Sequence, residues 1–172
     1  MNFLNLAETR YSVRNFQDKQ ISESDLNKIL TAAKLSPTAK NRQEQRLLVV
    51  NEKSTLEKLR ETTLCHFNAP TIIVLCYEKT FTESGLETED SQKWSHVDLG
   101  IVATHICLEA TDLGLGSIMV GLFDKEKLIH NLNIPSNYEP VLLLPIGYID
   151  KKPSHLHNDR LPLSQTVFYN KY

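Results

Sequence analysis

Thr9-Arg10-Tyr11-Ser12-Val13-Arg14 sets two guanidiniums and a hydroxyl at alternate positions. In an extended backbone successive side chains point to opposite faces, so Arg10, Ser12 and Arg14 share one face and Tyr11 and Val13 the other. The shared face consists of hydrogen-bond donors. Arginine presents a planar fork that matches phosphate and carboxylate oxygens and stays charged when partly desolvated. The expected guest is therefore an anion. Read alone, the stretch also fits a plainer arrangement: Arg10 ends an opening helix, favoured there by the helix dipole, and Arg14 is solvated.

A second stretch, Ser36-Pro37-Thr38-Ala39-Lys40-Asn41-Arg42-Gln43, closes the first long amphipathic helix with a proline and then offers polar amides. Together the two stretches resemble the nitroreductase family of flavin mononucleotide (FMN) oxidoreductases. That family opens with Arg-Arg-Ser-x-Arg-x-Phe, matched here by Arg10, Tyr11, Ser12, Arg14 and Phe16. One helix later it carries Pro-Ser-x-x-Asn-x-Gln, matched by Pro37, Thr38, Asn41 and Gln43. Near its end it has Lys-x-Arg-Leu-Pro, to which Asn158-Asp159-Arg160-Leu161-Pro162 is similar. The chain departs from the pattern where Tyr11 and Asn158 replace cations, and where Glu44 and Gln45 replace Pro-Trp.

The resemblance implies an α+β, nitroreductase-like fold: a mixed central β-sheet flanked by helices, in a homodimer with flavin sites at the interface. It also implies roles. Arg10, Ser12 and Arg14 would hold the FMN phosphate and the polar edge of the ring, with Tyr11 beside them and Arg160 adding charge. Pro37, Thr38 and Asn41 would come from the partner subunit and pack against the isoalloxazine, with Gln43 close by. Ser117 to Phe123 resembles the family's loop whose backbone N–H approaches flavin N5, which puts Gly121 there as the catalytic backbone donor, next to Val120. Asn68 fits either the pyrimidine edge of the flavin or a turn before Pro70.

Composition agrees with a protein of this kind. At 172 residues the chain suits one domain and buries roughly 70% of its unfolded surface. With 41% hydrophobic and 23% charged residues it is too apolar for disorder. A net charge of −2 argues against a nucleic-acid footprint. Cys65, Cys76 and Cys107 are odd in number and widely spaced, so neither a disulfide framework nor a Cys-x-x-Cys site is indicated and a reducing cytoplasm suits them. Met1 to Arg14 lacks the pattern of a signal peptide, and no apolar run is long enough to cross a bilayer.

In chain order, a short helix is predicted over Asn2 to Glu8, then a longer one opened by the capping box of Ser22 and Asp25 and stopped by Pro37. Leu47 to Val50 reads as a strand, and Ser54 with Glu57 as the start of a helix running to about Cys65, with Leu56, Leu59 and Leu64 as its stripe. The β-branched run Thr71 to Cys76 reads as a strand buried on both faces. Glu78 to Lys93 reads as a surface excursion or lid, with Phe81 and Trp94 as candidates for covering a flavin or as local anchors. His96 to Leu113 is apolar on two sides and predicts a central, buried helix ended by Gly114. Strands are predicted over Ser117 to Val120 and Val141 to Tyr148, a short helix begins at Asp124, and Leu161 to Tyr172 alternates enough for a last strand.

Other catalytic patterns are missing. Gly114-x-Gly116 ends a helix instead of following a strand, so it is no dinucleotide fingerprint, and no Walker loop, Gly-x-Ser-x-Gly elbow or His-Glu-x-x-His pair occurs. His155 and His157 lie in a polar loop without cysteines or clustered acids, and no metal is assigned. His96 and Asp98 lie about 200° apart around a helix, too far for an acid–base pair, and His105 suits a core or interface position. The lack of an acid, base or nucleophile set favours a cofactor enzyme. The resemblance makes it an FMN-dependent oxidoreductase, with NADH or NADPH as donor and small acceptors such as nitroaromatics or quinones reduced in ping-pong alternation. The alternative is an FMN-binding or sensing protein with little turnover.

Overall fold

The structure is a computed structural model that describes residues 2–79, 89–151, 153 and 155–172. Helix α1 (Phe3–Thr9) is capped by Asn2, whose side chain accepts the Asn5 N–H. Helix α2 (Glu23–Leu35) starts at Ser22, whose hydroxyl accepts from Asp25 N at 3.0 Å and donates to the Asp25 carboxylate at 2.8 Å. These contacts occupy end groups that the helix itself leaves open. Helix α3 (Lys53–Arg60) is capped at Glu52, so Ser54 lies inside it, and it ends five residues before Cys65. The predicted stripe residue Leu64 falls beyond the helix and is exposed.

Strands β1 (Gln45–Val50), β2 (Thr71–Glu78), β3 (Gly116–Ser117) and β4 (Tyr138–Gly147) form a sheet in the order β1-β2-β4-β3. The expected mixed sheet is antiparallel in every ladder among the described residues, and its parallel element is the single bridge Ser12–Ser117. The register of β2 against β4 shifts between Leu75 and Cys76, where Cys76 faces Pro140, a residue with no N–H to give to a ladder. The predicted strand over Ser117–Val120 shrinks to β3 and a lone bridge from Val120 to Leu143.

The alternation of β2 divides the core. Ile73 and Leu75 face one way, against Ile29 and Ala33 of α2 and against Leu99, Ile106 and Ala110 of α4 (Glu89–Asp112). Ile72 and Val74 face the other, with Val13, Phe16, Leu56 and Leu59, and with Leu128 of α5 (Lys125–Leu132). A strand buried on both faces is why its sequence reads as one apolar run.

Helix α4 starts earlier than predicted, so Glu89–Lys93 belong to a helix, Glu78 ends a strand and Lys79 pairs with Glu139; residues 80–88 of the expected lid, Phe81 included, lie outside the described residues. Only one side of α4 is buried. On the opposite side Trp94, Val97 and Thr104 are exposed and Ile101 and Leu108 half-buried, spaced three and four residues apart on a single face. The expected final strand is also replaced: Leu163–Thr166 form the short helix α6, and the tail around it is exposed throughout.

Candidate functional site

The opening arginine stretch is extended and pinned to the sheet. Val13 N–H donates to Ser117 O at 3.1 Å, Val13 is buried, and Phe16 bridges to Ile149. Gly116 permits this approach, because a Cβ there would fall 2.6 Å from Val13 Cγ2. With Val13 turned inward, the alternation leaves Arg10, Ser12 and Arg14 on the outer side.

Those residues line a pocket of about 250 Å³ together with Tyr11, Leu156, His157 and Arg160. The structure thus brings Arg160 to the opening motif from the far end of the chain. Tyr11 lines the pocket as well, its hydroxyl donating to Lys151 O at 2.8 Å. Partial burial pushes the Tyr11 phenol above its usual range, so it stays a neutral donor. Arg160 Nη1 donates to Asp159 O at 2.8 Å. Among the described residues no carboxylate forms an ion pair with Arg10, Arg14 or Arg160. Uncompensated guanidiniums gathered in a concave site favour an anion, above all one with several oxygens.

Pro37, Thr38, Asn41 and Gln43 are elsewhere: among the described residues none of them lines this pocket. They form the turn between α2 and β1, where Lys40, Asn41 and Gln43 all adopt positive φ, at 52°, 55° and 53°. Such backbone costs about 1–2 kcal/mol per residue for side chains other than glycine. The turn is held by Thr38 Oγ1, which accepts from Gln43 N at 3.1 Å, and by Asp98 on α4, both of whose oxygens accept from Ala39 N at 3.0 Å. Arg46 Nη1 donates to Gln43 O at 3.0 Å and fixes the exit.

Gly121 and Val120 lie on the segment that continues from β3, so the residue that anchors Val13, Ser117, also begins the path to Gly121. Val120 is buried and exchanges both backbone hydrogen bonds with Leu143 at 2.9 Å. Gly121 is exposed, and among the described residues its N–H has no partner. Met119 and Leu122 flank it with exposed apolar surface. The turn carrying Asn68 is tied to this loop, since Thr63 Oγ1 donates to Leu122 O at 2.6 Å and Asp124 N to Thr62 O at 2.8 Å. Asn68 itself has φ 56° and donates its N–H to His66 Nδ1 at 3.1 Å, which is a turn role.

Sequence reasoning passed over Asp98 and His157. Asp98 acts on a backbone N–H across 59 residues, and nothing in a helical pattern reveals such a partner. His157 reads in the sequence as a loop histidine, yet it lines the arginine pocket, its Nε2 lies 2.8 Å from Glu8 O and its ring centroid 5.5 Å from that of Tyr11. Among the described residues no cluster of His, Cys, Asp and Glu is arranged to hold a metal ion, and no helix is long and apolar enough to cross a membrane.

Comparison with known proteins gives one answer. Residues 7–69 and 66–148 match the profile of the nitroreductase family. A protein of Archaeoglobus fulgidus, provisionally named NADH dehydrogenase/NAD(P)H nitroreductase, is 32% identical over 165 residues that cover 91% of each chain. The crystal structure of a nitroreductase family protein from Clostridium difficile 630 superposes with a TM-score of 0.86 at 37% identity, covering 100% of both chains. An FMN-dependent nitroreductase from Clostridium difficile R20291 superposes with a TM-score of 0.82 at 27% identity, covering 99% of this chain and 100% of that one.

Proposed function

The chain belongs to the nitroreductase family, and on that premise we propose that it is a single FMN-binding domain acting as an oxidoreductase. It takes electrons from NADH or NADPH and passes them to small acceptors such as nitroaromatics or quinones, donor and acceptor occupying the site in turn. The observation that carries this reading is the pocket in which Arg10, Arg14 and Arg160 meet the Ser12 hydroxyl.

The residues present fit FMN. A phosphate monoester is close to a dianion at neutral pH and offers several acceptor oxygens, which the guanidinium forks and the Ser12 hydroxyl complement. When bound, FMN supplies the two-electron chemistry that these side chains lack. Gly121 is exposed with an unpartnered N–H among the described residues, which suits it to donate to the edge of the ring as charge changes there. Met119 and Leu122 offer apolar surface for the ring and keep water from one side of it. Asn68 serves its turn, and Thr63, on the same segment, steadies the Gly121 loop through its bond to Leu122 O.

The working unit in this proposal is a homodimer. The stripe of Trp94, Val97, Ile101, Thr104 and Leu108 has the three-and-four spacing of a helix seam and is exposed or half-buried among the described residues. The tail likewise exposes Leu161, Leu163, Phe168 and Tyr169. Pairing brings the Pro37–Gln43 turn of a second copy to the ring, which explains why that turn is preformed yet absent from the pocket of its own chain.

The double variant Arg10→Ala/Arg14→Ala tests the placement. Purified without added flavin, it is expected to lose its FMN; full retention contradicts the assignment of the phosphate to this pocket.

A further inference from the structure

His157 has a place in the arginine pocket that the function proposed above does not use. It lies on the 3₁₀ turn His155–Asn158 and reaches back 149 residues to the carbonyl of Glu8, on α1, at 2.8 Å. A carbonyl oxygen only accepts, so Nε2 carries the proton of that bond. Its ring lies tilted on Tyr11, at 54° between planes, while the Tyr11 hydroxyl holds Lys151 O. Two hydrogen bonds and a ring contact thus clamp the segment carrying Arg160 to the segment carrying Arg10 and Arg14. With Nε2 committed to Glu8, Nδ1 is the nitrogen left for the pocket that His157 lines. A neutral ring in this tautomer offers only a lone pair there and repels a phosphate oxygen. A second proton, on Nδ1, turns the ring into a cation with a donor for the guest.

We propose that His157 is a further phosphate-binding residue of this pocket: held by Glu8 and Tyr11, it takes up a proton as the phosphate of FMN binds and supplies one of the two cations missing at Tyr11 and Asn158. Among the described residues the charged and titratable groups at this pocket and on the segments tied to it are the guanidiniums of Arg10, Arg14 and Arg160, the Tyr11 phenol, Lys151, and the carboxylates of Glu8 and Asp159. A bound phosphate dianion favours a second proton on the ring, so uptake is coupled to binding. The inference rests on the FMN reading and is separable from it.

The test compares FMN with riboflavin, which has the same ring and no phosphate, by calorimetry at pH 8 in buffers of different ionisation enthalpy. The intact protein is expected to prefer FMN and to take up a proton with FMN but none with riboflavin. His157→Gln is expected to lower the FMN-over-riboflavin preference about tenfold and to abolish the uptake, the loss of one charge-assisted hydrogen bond. His157→Lys restores the preference without the uptake, an outcome that a purely structural role does not produce. Thermal denaturation of each variant confirms that it is folded. An unchanged preference in His157→Gln overturns the inference while leaving the FMN site standing. An intact protein that binds riboflavin as tightly as FMN overturns both.

Discussion

Both carboxylate oxygens of Asp98 accept the backbone N–H of Ala39, each at 3.0 Å. A buried charge on α4 thereby secures the first residue of a turn in which three of the following four residues stand at positive φ. Strain of this sort persists only where surrounding contacts over-determine it. Asp98→Ala is expected to destabilise the protein by about 2 kcal/mol, since the Ala39 N–H loses its acceptor. Asp98→Asn, which keeps one accepting oxygen, should lose about half as much. Urea denaturation measures the cost, and amide hydrogen exchange at Ala39 locates it; equal stability in all three proteins contradicts the role.

Gly116 sets how closely the arginine stretch approaches the sheet. An added Cβ would lie 2.6 Å from Val13 Cγ2 and 2.9 Å from Ile149 Cγ1, both branched side chains with little room to move. Gly116→Ala should therefore cost about 1–3 kcal/mol by overpacking. It should also weaken FMN binding, because Ser12 pairs with Ser117 and displaced backbone carries Arg10 and Arg14 with it. Flavin fluorescence titration reads the second effect. Unaltered affinity would show that the phosphate site does not depend on this contact.

Ile101 lies at the middle of the uncovered stripe on α4. Ile101→Glu places a charge in the proposed seam while leaving the opposite, buried face intact, so the single chain should stay folded. Sedimentation velocity is expected to show a dimer for the unaltered protein and a monomer for the variant. A monomer in both cases removes the dimer from the account.

The three cysteines should differ in reactivity. Burial pushes the Cys76 thiol up to about 12, helped by the negative charge of Glu139. Burial also raises Cys107, and the nearby Ser117 side chain and the charge of Arg10 only partly offset this. A raised thiol pKa leaves less of the reactive thiolate at neutral pH. Ellman's reagent is expected to titrate only Cys65, which is half-buried, in the native protein and all three in denaturant. Rapid labelling of Cys76 would mean that β2 opens readily.

Most of the elements are written locally. Ser22, Asp25 and Pro37 announce both ends of α2, and the run from Thr71 reports a strand buried on two faces, because caps and burial act through residues close in sequence. Failures arose where distant contacts decide. The tail alternates like a strand, but among the described residues it makes no ladder with the sheet, and Leu163–Thr166 form a short helix. Ser54 carries a capping signature that Glu52 pre-empts, and the apolar rows of α4 do not say which of them the chain itself covers. The arginine stretch and Arg160 were legible as a charge pattern and a motif. Asp98 and His157 were not, since their partners are backbone atoms 59 and 149 residues away.

The most direct test of the central claim is the visible absorption spectrum of protein purified without added flavin, repeated anaerobically after NADH and then NADPH. The expected result is a flavin spectrum that bleaches with one nucleotide or both, and recovers when a nitroaromatic or quinone is added. A flavin spectrum that persists in the presence of both nucleotides would contradict the oxidoreductase and leave a flavin-binding protein. A colourless protein that takes up no FMN would contradict the site itself.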